Sequence, residues 1–431
     1  MERYLGIDLG TSGCRAIIID EAESVVAQSA ASLPASIVQG LHVTQDPSAW
    51  WAALTLALSQ LAAQADLKQV AALSIDGTSG SLLAVDAQGE PMGPALMYDD
   101  SGCVLEADQI ALYAPMESPA RGRTSGLAKW LWLKKHYPKS RIIHQADWLA
   151  ARLGAKFMTS DENNALKTGY DPVSRAWPRW LENLVDINEL LCIVPPGTYL
   201  GICESPQARV LRLNPDTLVM AGTTDSVAAF IASGAQEIGD AVTSLGSTLT
   251  IKLISASPVY AAEFGVYSHR LGDLWLVGGA SNTGGAALLP FFSVAEMEAL
   301  SAHLKPDEPT GLDYYPLTKP GERFPIADPT LAPRLTPRPA QDTEFFQGLL
   351  ESIARIEAQG YARLAQLGAT PVRTLRTLGG GARNTAWSRI RSRLLQVPMP
   401  QAMHLDAAYG SALLAKRGIA RYRANSSSLG N

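Results

Sequence analysis

The chain reads as an α/β protein built from two modules of one plan. The first reason is length: 431 residues exceed one ordinary domain and suit two of roughly 200 each. The second is a hydrophobic fraction of 47%, enough for each half to bury a core of its own. The third is a pattern found once in each half. It is a β-hairpin with a Gly/Ser/Thr tip, then further strands, a helix, a strand and a helix.

The first module opens with the apolar run Tyr4 to Asp8, turns through Leu9-Gly10-Thr11-Ser12-Gly13 and returns through Cys14 to Asp20. Glycines between two such runs signal a hairpin. Ser24 to Ala27 suit a short third antiparallel strand. Asp46 and Pro47 form an N-cap and first-turn pair, so the Ala/Leu-rich stretch to Ala65 predicts a buried helix. Trp50 to Ala65 is interrupted by Thr55, Ser59, Gln60 and Gln64, and it is shorter than the ~20 apolar residues of a membrane span. A strand from Val70 to Ile75 then ends in Asp76-Gly77-Thr78-Ser79-Gly80.

The second module repeats this plan with Ala241 to Ser244, the tip Leu245-Gly246-Ser247-Thr248 and the return Leu249 to Ile254. Strands over Gly265–Ser268 and Leu274–Val277 follow, then a long helix from about Glu344 to Leu364. The strand Thr374–Leu378 runs into Gly379-Gly380-Gly381-Ala382 and a helix. Nine prolines between Lys305 and Pro339 exclude helix and central strand. Tyr314, Tyr315 and Phe324 make that stretch an ordered surface excursion of the second module. The modules should divide near Ala232, giving domains over 1–232 and 233–405.

Charge is nearly balanced, with 36 basic and 41 acidic residues and no Lys/Arg-rich run. This argues against a nucleic-acid or anionic-membrane partner. Met1 to Gly6 lead straight into a strand without the basic and apolar regions of a signal peptide. Cys14, Cys103, Cys192 and Cys203 are scattered without metal or disulfide spacing, so a cytoplasmic enzyme with reduced thiols is expected.

The turns carry the chemistry. Phosphoryl transfer needs N–H donors around phosphates, a cation held by carboxylate or water, and a base for the accepting hydroxyl. Gly10 and Gly13 allow close backbone approach to phosphates, Thr11 and Ser12 add hydroxyls, and Asp8 ends a buried strand where it can hold Mg²⁺. An ordinary glycine-rich hairpin with a capping aspartate would look the same. Gly246 and Ser247 give a second such tip. Gly380, Gly381 and Asn384 form a strand-to-helix turn suited to a nucleotide, with Trp387 read as core. Ala221-Gly222-Thr223-Thr224-Asp225-Ser226 puts a carboxylate after a strand and before an Ala/Phe-rich helix. Asp225 there is either a general base or a helix cap. Asp76 and Ser79 are candidates for lining a sugar pocket, with the same alternative.

Taken in order, these motifs resemble the FGGY carbohydrate kinases of the hexokinase–actin–heat-shock chaperone superfold. The resemblance runs through Gly6-Ile7-Asp8-Leu9-Gly10-Thr11-Ser12, Ala146-Asp147-Trp148-Leu149, Ala221-Gly222-Thr223-Thr224-Asp225 and Leu245-Gly246-Ser247-Thr248. It continues through Gly278-Gly279-Ala280, Gly321-Glu322-Arg323-Phe324-Pro325, Gly379-Gly380-Gly381-Ala382 and Ala407-Ala408-Tyr409-Gly410-Ser411-Ala412. It implies two actin-like (ribonuclease H-like) α/β lobes with a cleft between them, and a segment 406–423 that returns to the first lobe. It also implies ATP and Mg²⁺ as cofactors and a small sugar as partner. Asp225 is then the catalytic base, Asp8 the magnesium-side acid and Thr11 a phosphate contact. Gly10, Ser12, Gly246, Ser247, Gly380, Gly381 and Asn384 line the nucleotide. Asp8, Ser79, Asp225 and Ser226 meet the sugar.

Departures from the family pattern bear on the substrate. Where xylulokinases usually carry Gln-Met-His-Gly, this chain has Gly77-Thr78-Ser79-Gly80. Where many relatives have Trp-x-Asp-x-Arg, it has Tyr98-Asp99-Asp100-Ser101-Gly102, without the arginine. These features and the short chain are similar to a compact cyanobacterial and plant branch with D-ribulose kinase activity. The expectation is therefore phosphorylation of D-ribulose at its C5 hydroxyl, with D-xylulose as the alternative. An actin-like ATPase without a sugar substrate is the alternative of another class.

Overall fold

The computed structural model describes residues 2–428. The chain divides into two compact units: residues up to Ala232 together with those from Asp406 onward, and Ser233–Leu405.

The first unit is organised by a six-stranded sheet. Its first strands are β1 (Arg3–Leu9), β2 (Gly13–Ile19) and β3 (Val25–Ser32), an antiparallel meander. The third strand runs farther than the Ser24–Ala27 expected, because its residues pair with β2 as far as Gly13. Helix α1 (Pro47–Ala62) begins at Asp46, whose side chain accepts from the Ser48 N–H, and it buries Trp50, Leu54, Leu58 and Leu61. Then come β4 (Val70–Gly77), helices α2 (Gly126–His136) and α3 (Gln145–Leu153), strands β5 (Tyr199–Ile202) and β6 (Leu218–Thr224), and α4 (Asp225–Ala232). The strand order is β5-β6-β4-β1-β2-β3, and β6, β4 and β1 run parallel. A smaller five-stranded sheet, over 37–39, 42–45, 95–96, 82–85 and 141–144, supports the loop around Tyr98.

The last helix, Ala407–Ser428, packs across β1, β4 and β2 and along α4. Gly6 makes this possible: a Cβ there would lie 1.8 Å from the carbonyl oxygen of Ala408. The helix thus closes one face of the sheet, while Leu5, Ile7, Leu9, Ile18, Leu73 and Ile75 belong to the core built with α1.

The second unit has a five-stranded sheet in the order β9-β10-β8-β7-β11. Its strands are β7 (Asp240–Leu245), β8 (Leu249–Ser255), β9 (Tyr267–Leu271), β10 (Leu274–Ser281) and β11 (Thr374–Leu378). Its helices include α5 (Val294–Ser301), α6 (Asp342–Gln366) and α7 (Thr385–Leu395). The proline-rich stretch is packed, with Tyr314, Tyr315 and Phe324 buried. Glu322 anchors it by accepting from Ser281 Oγ at 2.5 Å, the Asn282 N–H at 2.7 Å and Tyr315 Oη at 2.9 Å. That gives the Gly-Glu-Arg-Phe-Pro segment a structural purpose.

Candidate active site

Parallel pairing of β1, β4 and β6 brings their C-terminal ends to one edge of the sheet. Asp8 lies opposite Asp76, Asp76 opposite Thr223, and Gly77 opposite Thr224, so Asp225 follows directly at the same edge. Asp8 and Asp76 are 4% and 0% exposed, so water solvates neither charge. Burial is the largest cause that pushes the Asp8 carboxyl up to about 6. The Asp225 and Asp406 charges push the same way, while a hydrogen bond with Asp76 and the Arg15 guanidinium, 3.3 Å away, pull it down. Asp76 is pushed far above the ordinary carboxylate range, by burial first and then by the Asp8 charge. Asp76, the more strongly raised of the two, is therefore the carboxyl that keeps its proton. Ser411, on the last helix, donates to Asp76 Oδ2 at 2.5 Å.

Asp225 is the first residue of α4, and its Oδ1 accepts from the Ser226 N–H at 2.6 Å. Ser226 is exposed. The Gly10–Gly13 turn is held from inside. Gln45 Nε2 donates to the Thr11 carbonyl at 2.9 Å, the Leu33 N–H donates to the Ser12 carbonyl at 2.8 Å, and Gly10 donates to Gly13 at 3.0 Å. Thr11 is half-buried beside Tyr98, whose hydroxyl feels the Asp225 charge. Gly10 and Ser12 border it on the open side of the turn.

The turn after β4 is equally fixed. Thr78 Oγ1 lies 2.6 Å from Ser81 Oγ, and Gln145 Oε1 accepts from the Thr78 N–H at 3.0 Å and its hydroxyl at 2.9 Å. The Ser79 hydroxyl is buried without a hydrogen-bond partner among the described residues. Missing the family arginine has a visible counterpart. The buried Asp100 accepts from the Val43 N–H at 2.7 Å and the Gly102 N–H at 3.1 Å, and pairs with His42 Nδ1 at 3.1 Å. A Cβ on Gly102 would lie 2.3 Å from the His42 ring, so His42 excludes any longer side chain there.

The second unit holds a cavity of about 840 Å³ lined by Gly246, Ser247, Gly380, Gly381, Asn384 and Trp387, with Leu288, Leu289, Val294, Met297 and Phe346 as an apolar end. The hairpin tip is tied from behind, where Gly285 and Ala286 donate to the Gly246 and Ser247 carbonyls at 2.9 and 3.1 Å. A Cβ on Gly380 would meet nothing within 4 Å, so the backbone there faces open space. Asn384 differs from expectation in what its amide does. Oδ1 caps α7 by accepting from the Trp387 N–H at 2.9 Å, and Nδ2 donates to Ser301 Oγ at 2.8 Å. Its amide therefore shapes the wall through bonds already made. Trp387 is core, 4% exposed, with its indole N–H donating to the Leu350 carbonyl at 3.1 Å.

These surroundings fit a nucleotide: an apolar end for a base and glycine-flanked turns for phosphates. Oxygen-only donors at Asp8 fit a hard cation such as Mg²⁺. Among the described residues no three His, Cys, Asp or Glu side chains form a metal cage. Also among the described residues, no helix is long and apolar enough to cross a membrane.

Motif order and this geometry define a carbohydrate kinase. Residues 3–232 match the N-terminal domain and residues 241–419 the C-terminal domain of the FGGY family of carbohydrate kinases, and the chain belongs to that family. Sugar kinases of this family use ATP. The chain is 26% identical to the xylulose kinase of Escherichia coli over 90% of its own length and 84% of that protein. It is 27% identical to the xylulose kinase of Klebsiella pneumoniae, over 96% and 89%. Xylulose kinase from Rhodospirillum rubrum superposes with a TM-score of 0.84 at 22% identity, covering 97% of this chain and 90% of that one. That likeness shows the fold, a two-lobe actin-like α/β architecture.

Sequence reasoning left Asp76 as a possible pocket residue and missed its pairing with Asp8. The signal was there: two strands each end in Asp and run into a Gly/Ser/Thr turn, Asp8 to Gly13 and Asp76 to Gly80. Ser411 and Tyr98 gave no local sign of their partners.

Proposed function

We propose that this kinase transfers the γ-phosphoryl group of ATP to the C5 hydroxyl of a five-carbon ketose, D-xylulose before D-ribulose. The observation that carries the reaction type is the set of carboxylates at the ends of β1, β4 and β6, beside the Thr11 turn. Asp225 is the general base: a carboxylate at a strand-to-helix turn accepts the proton of the attacking hydroxyl. Asp8 is the carboxylate that holds the cation, and Arg15 and Asp76 fix its orientation. When bound, Mg²⁺ neutralises charge on the phosphate oxygens. Gly10, Thr11 and Ser12 meet phosphate on the first unit. Gly246, Ser247, Gly380, Gly381 and Asn384 form the nucleotide site on the second. Ser79, Ser226, Asp8 and Asp225 surround the ketose.

The sequence alone put D-ribulose first, and the comparisons carry D-xylulose further, because the curated relatives that match over most of the chain are mostly named xylulose kinases. D-Ribulose stays as the second substrate on one observation. The Gly77–Gly80 turn, packed by Gln145, replaces the Gln-Met-His-Gly segment usual in xylulokinases. The two ketoses are epimers at C3, and one hydrogen bond to that hydroxyl can separate them strongly. Coupled ADP release, measured with D-xylulose, D-ribulose, L-ribulose, ribitol and glycerol against a no-sugar control, decides this. The highest kcat/KM with D-xylulose supports the proposal, and the highest with D-ribulose reverses the order of substrates. Steady hydrolysis that no sugar stimulates refutes the proposal in favour of an ATPase.

A further inference from the structure

The turn that carries Ser79 is fastened from outside by side chains of three elements. Lys129, on α2 and 0% exposed, donates from Nζ to the carbonyls of Gly80 at 2.8 Å, Tyr98 at 3.0 Å and Thr124 at 3.1 Å. Lys167 Nζ reaches the Ser79 carbonyl at 3.4 Å. Gln145, at the start of α3, holds Thr78 as described. An ammonium has three protons, and here each is spent on a different loop. Burying an ammonium is costly even when it is paired, and a site that needed only packing would be served as well by an apolar side chain. Burial and then the Lys167 charge pull the Lys129 pKa down to about 7, against Asp100, Cys103 and Asp99, which push it up. Three carbonyl acceptors add to the second group, since each prefers the charged donor.

The loops joined in this way are the ones that border the acceptor side. Gly80 closes the Ser79 turn. Tyr98 lies where its hydroxyl feels the charge of Asp225. Thr124 precedes Ser125, the N-cap of α2. While the Thr78 hydroxyl and the Ser79 and Gly80 carbonyls are all engaged, the Ser79 hydroxyl is buried with no partner among the described residues. Such a group in a rigid frame is an expected ligand contact.

We infer that Lys129 is a positioning residue for the acceptor sugar: its ammonium locks the Ser79 turn to the Tyr98 and Thr124 loops, so that Ser79 is set in one geometry before the ketose binds. The inference rests on the sugar contact proposed above for Ser79. Sequence offers only a lysine in a helix of otherwise core-like pattern.

A double-mutant cycle tests it on the full chain, with Lys129→Met, Ser79→Ala and the pair. The substrate is whichever ketose gives the highest kcat/KM. Each single variant should raise the ketose KM by about tenfold or more while the ATP KM stays within about twofold. The pair should be little worse than the weaker single variant, because loss of the frame already removes what Ser79 supplies. A ketose KM unchanged by Lys129→Met overturns the inference. So do additive losses in which both KM values rise together with a fall in Tm, which would make Lys129 a packing residue. Ser79→Ala without effect overturns the Ser79 assignment instead, and the ketose KM of Lys129→Met then decides for or against the loop-setting role. If Lys129→Met does not fold, Lys129→Gln, which keeps two donors, replaces it with the same expectations.

Discussion

Replacing Asp225 by asparagine removes a charge and an acceptor for a proton while leaving shape almost unchanged. Its magnitude follows from what the structure keeps and what it loses. The amide oxygen can still accept from the Ser226 N–H, so the first turn of α4 stays formed. The Asp225 charge now pushes the Asp8 and Asp76 carboxyls upward, so its loss lowers the Asp8 value from about 6 toward the ordinary range. Relief of that repulsion means the variant should be no less stable than the parent. The nucleotide cavity belongs to the second unit, and the Gly10–Gly13 turn is held by Gln45 and Leu33 without Asp225, so the Kd for ATP should change by less than about twofold. What disappears is general-base catalysis, typically worth about 100-fold to 10,000-fold in rate. At about 1.36 kcal/mol per tenfold, that is roughly 2.7–5.4 kcal/mol of barrier. Coupled ADP release at saturating ketose and ATP reads kcat, calorimetric titration reads ATP binding, and thermal unfolding reads Tm. Retention of more than about a tenth of kcat would refute the base assignment, because a positioned base contributes at least about 100-fold. A lost ATP affinity would make Asp225 a nucleotide contact and refute a role confined to the acceptor hydroxyl.

Asp8→Ala should move the Mg²⁺ concentration for half-maximal rate upward by about tenfold or more, and an unchanged Mg²⁺ titration counts against Asp8 as the cation's carboxylate. Ser411→Ala takes the donor from a fully buried Asp76 oxygen and should cost about 1–3 kcal/mol in urea unfolding, so an unchanged midpoint would refute that bond as a stabilising contact. Burial, then the Asp147 charge, pushes the Asp161 carboxyl up to about 7, so the folded state binds this proton more tightly than the unfolded chain does. Its contribution to stability is therefore full below the ordinary value of about 4 and is lost as pH rises toward about 7. Asp161→Asn should lower Tm, since Asn164 Nδ2 loses its acceptor at 2.6 Å, and should flatten the Tm profile over that interval; an unchanged slope refutes the shift.

The hairpins, the α1 cap and the Asp225 turn were legible because each is a local arrangement, in which glycine, hydroxyl and carboxylate sit within a few residues of one another. Asp8 could be singled out for the same reason. Its protonated partner could not, since the pairing of Asp8 with Asp76 depends on which strands become neighbours and in what register. Ser411 reaches Asp76 across 335 residues of chain. His42 shows a third kind of limit. The absent arginine of the family pattern was plain, but not that a histidine 58 residues before Asp100 pairs with it and fills the space over Gly102. Asn384 shows a fourth, because its position on the cavity wall was legible and the prior use of its amide was not.

The substrate order turns on the same distinction between local and distant partners. The Gly77–Gly80 turn looks like a loss when read along the chain, because it lacks the long side chains of Gln-Met-His-Gly. In the fold, Gln145 brings a carboxamide to that place from α3, and its Oε1 would lie 3.0 Å from a Cβ on Gly77. Its orientation is fixed, since only the carbonyl oxygen can accept from the Thr78 N–H at 3.0 Å. In the proposed reaction, a turn with small side chains supported by this amide would meet the C3 hydroxyl, and the carboxylates would meet C5. Relatives therefore inform the reaction more securely than they inform the epimer. In the proposed reaction, phosphoryl transfer rests on the carboxylates that the paired ends of β1, β4 and β6 bring together, whereas discrimination at C3 would rest on the Gly77–Gly80 turn.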